Sequence, residues 1–237
     1  MYLRRVELMT DKIDHPEQYP FHIPSIESLD RLEFSHNVTF FVGENGSGKS
    51  TLLEGIAHQC GFNTAGGGRN NYFETHASES ALGDYLRLAW MPKITNGFFM
   101  RSESFYQFAS HIDEMPGSLQ YYGGRSLHKQ SHGESFLNLF INRFSSKGIY
   151  LLDEPEAALS PARQLALLRI LHDLSGHSQF IIATHSPILL GYPGAEILSF
   201  DDGHIHKMMY EDTDHYLITR SFLENRDRML HELFKDE

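Results

Sequence analysis

Residues 37–60 read NVTFFVGENGSGKSTLLEGIAHQC, and this stretch decides the fold. Positions 38–42 are a β-branched and aromatic run of strand length. Leu52, Leu53 and Ile56 then recur on one side of a helical pattern. Between them, 43–50 read GENGSGKS and match G-x-x-x-x-G-K-[ST] in full, in the strand–loop–helix setting that gives this motif its meaning. Gly43, Gly46 and Gly48 let the loop curl, so that backbone N–H groups, those of Glu44, Asn45 and Ser47 among them, point inward as a nest for an anion. The helix beginning near Lys49 adds the positive end of its dipole. In such a site Lys49 reaches the β- and γ-phosphates of a nucleotide, the Ser50 hydroxyl ligates Mg²⁺, and Thr51 closes the binding run.

The same alternation continues outward. Residues 148–174 read as a buried strand, IYLL, a loop, DEPEAALS, and an amphipathic helix opened by Pro161, where proline loses no needed hydrogen bond. Residues 178–187, SQFIIATHSP, are another buried strand with polar residues at its end. Residues 2–9 alternate as a strand, and 10–36 are turn-rich. Residues 61–97 read as irregular, with AGGGRNN at 65–71 as a flexible loop. Then follow a strand, a serine cap and a helix over 97–112, a loop over 113–130 and a helix over 134–144. A hairpin around Asp202-Gly203 and a helix over 214–234 complete the chain. Apolar strands alternating with helices predict an α/β fold with a largely parallel sheet covered on both faces.

Ligands of such sheets bind beyond the carboxyl ends of the strands, and GENGSGKS, DEPE and THSP all fall at such ends. Asp153 is placed to hold the Mg²⁺ water shell, and Glu154 is the candidate general base that polarises the attacking water. Two adjacent carboxylates after an apolar run repel each other unless a cation sits nearby. His185 is the candidate γ-phosphate sensor, a neutral imidazole able to bridge water and phosphate.

Composition bounds the rest. Apolar residues make up 41% of the 237 and charged ones 22%, which is globular composition. Twenty Lys and Arg against 31 Asp and Glu leave a net charge of −11. With no long basic run, a nucleic-acid role is expected only indirectly, through a partner. Cys60, the single cysteine, excludes an internal disulfide and reads as a small core residue on a helix. Neither a signal-peptide core nor a membrane-spanning apolar run of about 20 residues is present, so a soluble cytoplasmic protein is expected.

Together these motifs, Walker A, Walker B with its glutamate and the switch histidine, resemble an ABC-type ATPase, a P-loop NTPase. That family places a signature motif, LSGGQ, before Walker B, where this chain reads QSHGES at 130–135. Ser131 matches the signature serine, Gly133 its second glycine and Glu134 the glutamine, while His132 replaces the first glycine and Gln130 the leucine. The resemblance implies a single ATPase domain over 1–237, with about 61–145 as a helical, signature-bearing subdomain and an antiparallel β portion. It implies ATP and Mg²⁺ as ligands. It implies also a head-to-tail homodimer burying two ATP, in which Ser131 of one copy bonds the γ-phosphate held by the other.

The stretch DEPEAALSP lacks the aspartate that transport subunits carry after Walker B. With ATHSP and VGENGSGKSTLLEGIA, it looks more like the AAA-type ABC ATPases of the overcoming-lysogenization-defect (OLD) and SMC-related branches. Neither the coiled-coil arms of SMC proteins nor the appended nuclease of OLD proteins is expected here. For the family's Q-loop, Glu103 as a metal-side ligand and Gln107 are the candidates, and Arg101 could contact phosphate. Tyr19 and Phe21 could stack on adenine, although core or turn packing is the plainer reading. His204 and His206 beside Asp201 and Asp202 suggest a metal cluster, yet no third spaced ligand completes it. The reading favoured is a stand-alone ATPase that switches a partner protein. The alternatives are the energising subunit of a membrane transporter and, with His132 in the signature, a protein that only binds nucleotide.

Overall fold

The computed structural model describes residues 1–64, 66–68, 81–114, 132–143 and 147–235. Its first strand, β1 (Leu3–Leu8), lies between β2 (Arg31–Glu33) and β4 (Leu86–Trp90) in a small antiparallel sheet. Among the described residues the main sheet has six strands: β3 (Val38–Val42), β5 (Gly97–Arg101), β6 (Ile149–Asp153), β7 (Gln179–Ala183), β8 (Glu196–Ser199) and β9 (His206–Met208). They run in the order β5-β6-β7-β3-β8-β9, parallel throughout except for β9, which returns as the hairpin partner of β8. Asp202 and Gly203 make that hairpin's turn with φ of 60° and 76°.

All five residues of β3, of β6 and of β7 are buried. A strand covered on both faces has no solvent side to mark with polar residues, so these three read as continuous apolar runs. Side chains still alternate in space. Phe41, Leu151, Ile181 and Ala183 face one core, with Leu52, Leu53 and Ile56 of α2 (Lys49–Cys60) and Leu3 and Val6 of the small sheet. Phe40, Leu152, Phe180 and Ile182 face the other. There they meet Phe105 and Ile112 of α3 (Phe105–Glu114), Phe136 and Phe140 of α4 (His132–Arg143), and Leu167 and Leu171 of α5 (Pro161–Leu174). Cys60 is buried at the end of α2.

Gln179, fully buried at the start of β7, joins the two sheets. Its amide oxygen accepts the N–H groups of Tyr2 and Leu3, each at 2.8 Å, and its nitrogen donates to the Leu3 carbonyl at 2.9 Å. A buried amide is tolerated because its bonds are made.

The region read as irregular over 61–97 holds β4, whose residues pair with Leu3, Arg5, Val6, Glu7 and Leu8. Its strand pattern is faint because three of its five residues are only half-buried on an edge. With β4 and β5 in the sheets, the described helical part of the expected 61–145 insertion narrows to α3 and α4. Two short helices, α1 (Pro24–Glu27) and α6 (Pro187–Leu190), flank strand ends. The long α7 (Asp214–Leu233) buries none of its residues and departs from helical φ/ψ at Asn225. No helix among the described residues is long and apolar enough to cross a membrane.

Candidate active site

The parallel register aligns the carboxyl ends of the strands. Arg101 of β5 stands opposite Asp153 of β6, Asp153 opposite Ala183 of β7, and Ala183 opposite Phe41 of β3. The residues just beyond this row are therefore neighbours in space although they are far apart in sequence.

GENGSGKS is the connection from β3 to α2. Gly43, Gly46 and Gly48 have φ of 139°, 82° and 102°, a region closed to most side chains. Gly48 is also pressed from below: a Cβ there would lie 2.6 Å from the hydroxyl oxygen of Ser25. Ser25, buried in α1, donates that hydroxyl to the Ser47 carbonyl and braces the loop. From the other side, Asp201 beyond β8 accepts the Glu44 N–H at 2.9 Å. Lys49 is only 4% exposed, and its Nζ donates to the carbonyls of Gly43 at 2.7 Å and Glu44 at 2.9 Å. Burial pulls its pKa below the usual lysine value, against the opposing pull of Glu154, Asp201, Asp153 and Glu44. The Ser47 hydroxyl oxygen is buried with no hydrogen-bond partner among the described residues. A helix N-terminus, a buried ammonium and an unsatisfied hydroxyl together suit a polyphosphate.

One residue on, the Ser50 hydroxyl donates to Asp153 Oδ1 at 2.8 Å. Asp153 is 5% exposed, and burial pushes its carboxyl up to about 6. The Ser50 bond and Arg101 oppose that rise, while Glu154 and Glu103 add to it. Arg101 Nε lies 3.6 Å from Asp153 Oδ2 and 3.5 Å from Glu103 Oε2, and Nη1 donates to the buried Glu54 at 3.2 Å. One guanidinium thus spans three carboxylates. Ser50, Arg101, Glu103, Asp153 and Glu154 line a cleft of ≈ 200 Å³. Hydroxyl and carboxylate oxygens at its floor are a hard donor set that fits Mg²⁺. Glu103, named as a metal-side candidate, lies at the exposed lip, and Arg101 is the residue beside it that reaches Asp153. The side chain of Gln107 lies outside the described residues.

Glu154 has φ 50° and ψ 53°, a left-handed backbone that costs a non-glycine residue about 1–3 kcal/mol. Its N–H donates to the Ala183 carbonyl at 2.9 Å, and its carbonyl accepts the Ser102 hydroxyl at 2.6 Å. Neighbours on two strands therefore hold the strained turn, and Glu154 Oε1 stands 3.6 Å from Nε2 of His185. The His185 N–H donates to Glu156 Oε1 at 2.5 Å, and its Nδ1 lies 2.8 Å from Nε2 of His215. His185 Nε2 is buried with no hydrogen-bond partner among the described residues. Burial, then the Lys49 charge, then His215 depress the His185 pKa, which Glu154 and Glu44 partly restore.

The structure thus brings together Lys49, Ser50, Asp153, Glu154 and His185. Ser131 lies outside the described residues, as does Gln130. Gly133 packs where α4 meets α5: a Cβ there would lie 2.7 Å from Arg163 Cδ and 3.0 Å from the Ala158 carbonyl. Glu134 is exposed, 3.6 Å from Arg163. Phe21 is core, edge-on to Tyr85 at 4.9 Å. Tyr19 is not core: it is 58% exposed with its hydroxyl 3.4 Å from Thr51, beside the phosphate loop. Sequence reasoning missed Ser25, Asp201, Glu156 and His215 as parts of the site. Asp201 alone carried a usable signal, since it follows an apolar run of strand length.

A family model described as "AAA domain" matches residues 22–108, and one described as "AAA domain, putative AbiEii toxin, Type IV TA system" matches residues 123–191. No curated protein matches the sequence. Among solved structures, an SMC head bound to the C-winged helix domain of ScpA aligns with a TM-score of 0.53 and 15% identity, over 88% of this chain and 98% of that one. The SMC head domain from Thermotoga maritima aligns with a TM-score of 0.49 and 17% identity, over 88% and 99%. The ADP conformation of an ATP-binding cassette of an ABC transporter aligns with a TM-score of 0.48 and 17% identity, over 99% and 100%. At 15% identity the likeness to the ScpA-bound SMC head concerns the fold alone.

Proposed function

We propose that this chain, a P-loop NTPase of ABC/AAA type that binds ATP, hydrolyses it with Mg²⁺ and uses it to close two copies into a dimer that switches a partner protein. The observation that supports the reading is the aligned row of strand ends, beyond which Ser50, Asp153 and Glu154 line one cleft while His185 stands 3.6 Å from Glu154 and the buried Lys49 feels the Glu154 and Asp153 charges. Lys49 and the loop N–H groups hold the β- and γ-phosphates. Ser50 and Asp153 hold the metal, which when bound supplies neutralising charge to the phosphates. Glu154 takes a proton from the attacking water, and its fixed left-handed backbone aims the carboxylate into the cleft. His185 offers its unsatisfied Nε2 to the γ-phosphate.

The exposed Glu134 at the start of α4 would face the second copy's nucleotide, the place that the signature resemblance gives also to Ser131 and Gly133. The toxin–antitoxin system named in one family description fits a defence or toxin component as the process served. Light scattering of purified Glu154→Gln tests the switch. Dimers with ATP and Mg²⁺ and monomers without are expected, and a monomer under saturating ATP would refute it. A membrane permease co-purifying with that variant would turn the reading toward transport.

A further inference from the structure

A neutral imidazole carries one N–H and one lone pair. The 2.8 Å between His185 Nδ1 and His215 Nε2 holds one proton, so one ring donates and the other accepts. Burial, followed by Lys49, keeps both rings below the usual histidine pKa, so both are neutral near pH 7. The charged groups acting on His215 are Lys49, Glu44, Asp201 and Asp214; on His185 they are Lys49, Glu154 and Glu44. If His185 were the donor, its Nε2 would carry a lone pair 3.6 Å from the Glu154 carboxylate, acceptor against acceptor. If His215 donates, the proton of His185 sits on Nε2 and faces an acceptor.

His215 is delivered to this place by a built connection. It lies in the first turn of α7, whose N-cap Thr213 accepts the Tyr216 N–H at 3.3 Å and donates to the Tyr210 carbonyl at 2.8 Å. Tyr210 in turn donates its hydroxyl to the Pro187 carbonyl at 2.9 Å, two residues after His185. The Tyr210 and Tyr216 rings pack 4.6 Å apart.

We infer that His215 is a positioning residue that fixes His185 as the Nε2–H tautomer, making the switch histidine a hydrogen-bond donor into the cleft. Its consequence for turnover rests on the ATPase reading above, whereas the tautomer does not. Nitrogen-15 NMR of the imidazoles in the nucleotide-free protein at neutral pH is the direct test. His185 protonated on Nε2 is expected in the wild type, with a tautomer mixture in His215→Phe. His185 protonated on Nδ1 in the wild type overturns the inference.

ATP turnover gives a second readout. His215→Phe, which keeps ring bulk but no donor, is expected to lose about 10- to 100-fold in kcat, the scale of a lost tautomer-fixing partner. His215→Gln, whose amide supplies a donor, is expected to recover most of that loss at unchanged Tm. Equal turnover of the two variants overturns the inference. Should the wild type show no turnover at all, the ATPase reading fails and the NMR alone decides the tautomer.

Discussion

Asp153 illustrates how a single residue ties chemistry to stability. Burial outweighs the Ser50 and Arg101 contacts and pushes its carboxyl above the ordinary aspartate value, up to about 6. A carboxyl with a raised folded pKa stabilises the fold below the unfolded pKa and loses that contribution as pH rises through the folded one. Nucleotide-free Asp153→Asn is therefore expected to gain stability over wild type as pH rises from about 4 to about 6, levelling at on the order of 3 kcal/mol. Thermal melts of both proteins across that range, without metal, check the sign: a gain confined to acid pH would contradict it. The placement of Lys49, Ser50, Asp153, Glu154 and His185 at neighbouring strand ends was legible in sequence because motif and strand end coincide. Ser25 and His215 were not. Each reaches the site from an element whose placement depends on tertiary packing, and neither belongs to a periodic or motif pattern.

At the scale of elements, the phosphate loop and the core beneath it are separable. Leu167 of α5 is fully buried in the core on the far face from α2. Leu167→Ala is expected to cost about 2–5 kcal/mol while leaving nucleotide affinity nearly unchanged. Gly48→Ala should do the reverse. It forces a side chain to φ 102° and into the Ser25 hydroxyl, so at least about 1 kcal/mol of stability and most nucleotide affinity should go together. Denaturant melts paired with nucleotide titrations distinguish the two, and full affinity in Gly48→Ala would contradict the close packing of the loop on α1. The parallel strands were readable because strands buried on both faces form unbroken apolar runs. β4 was hidden because an edge strand with half-buried residues lacks that mark.

Across the whole molecule, the parallel sheet gathers Lys49, Ser50, Asp153, Glu154 and His185 beyond the carboxyl ends of its strands, and the two cores hold those strands in register. The α1 helix braces the phosphate loop from one side and α7 supplies His215 from another, while Gln179 fastens the small sheet to the start of β7. The fold class was evident from the alternation of strands and helices, whereas the long-range links made by Ser25 and His215 have no local sequence mark. The central claim is that this edge is an ATP-hydrolysing site with Glu154 as its base. Phosphate release and ATP binding, measured on the same purified preparations of wild type, Lys49→Ala and Glu154→Gln with Mg²⁺, test it most directly. Glu154→Gln is expected to keep ATP affinity and lose about 10²- to 10⁴-fold in turnover, and Lys49→Ala to lose binding itself. Unchanged turnover in Glu154→Gln, or wild-type ATP binding in Lys49→Ala, would contradict the account.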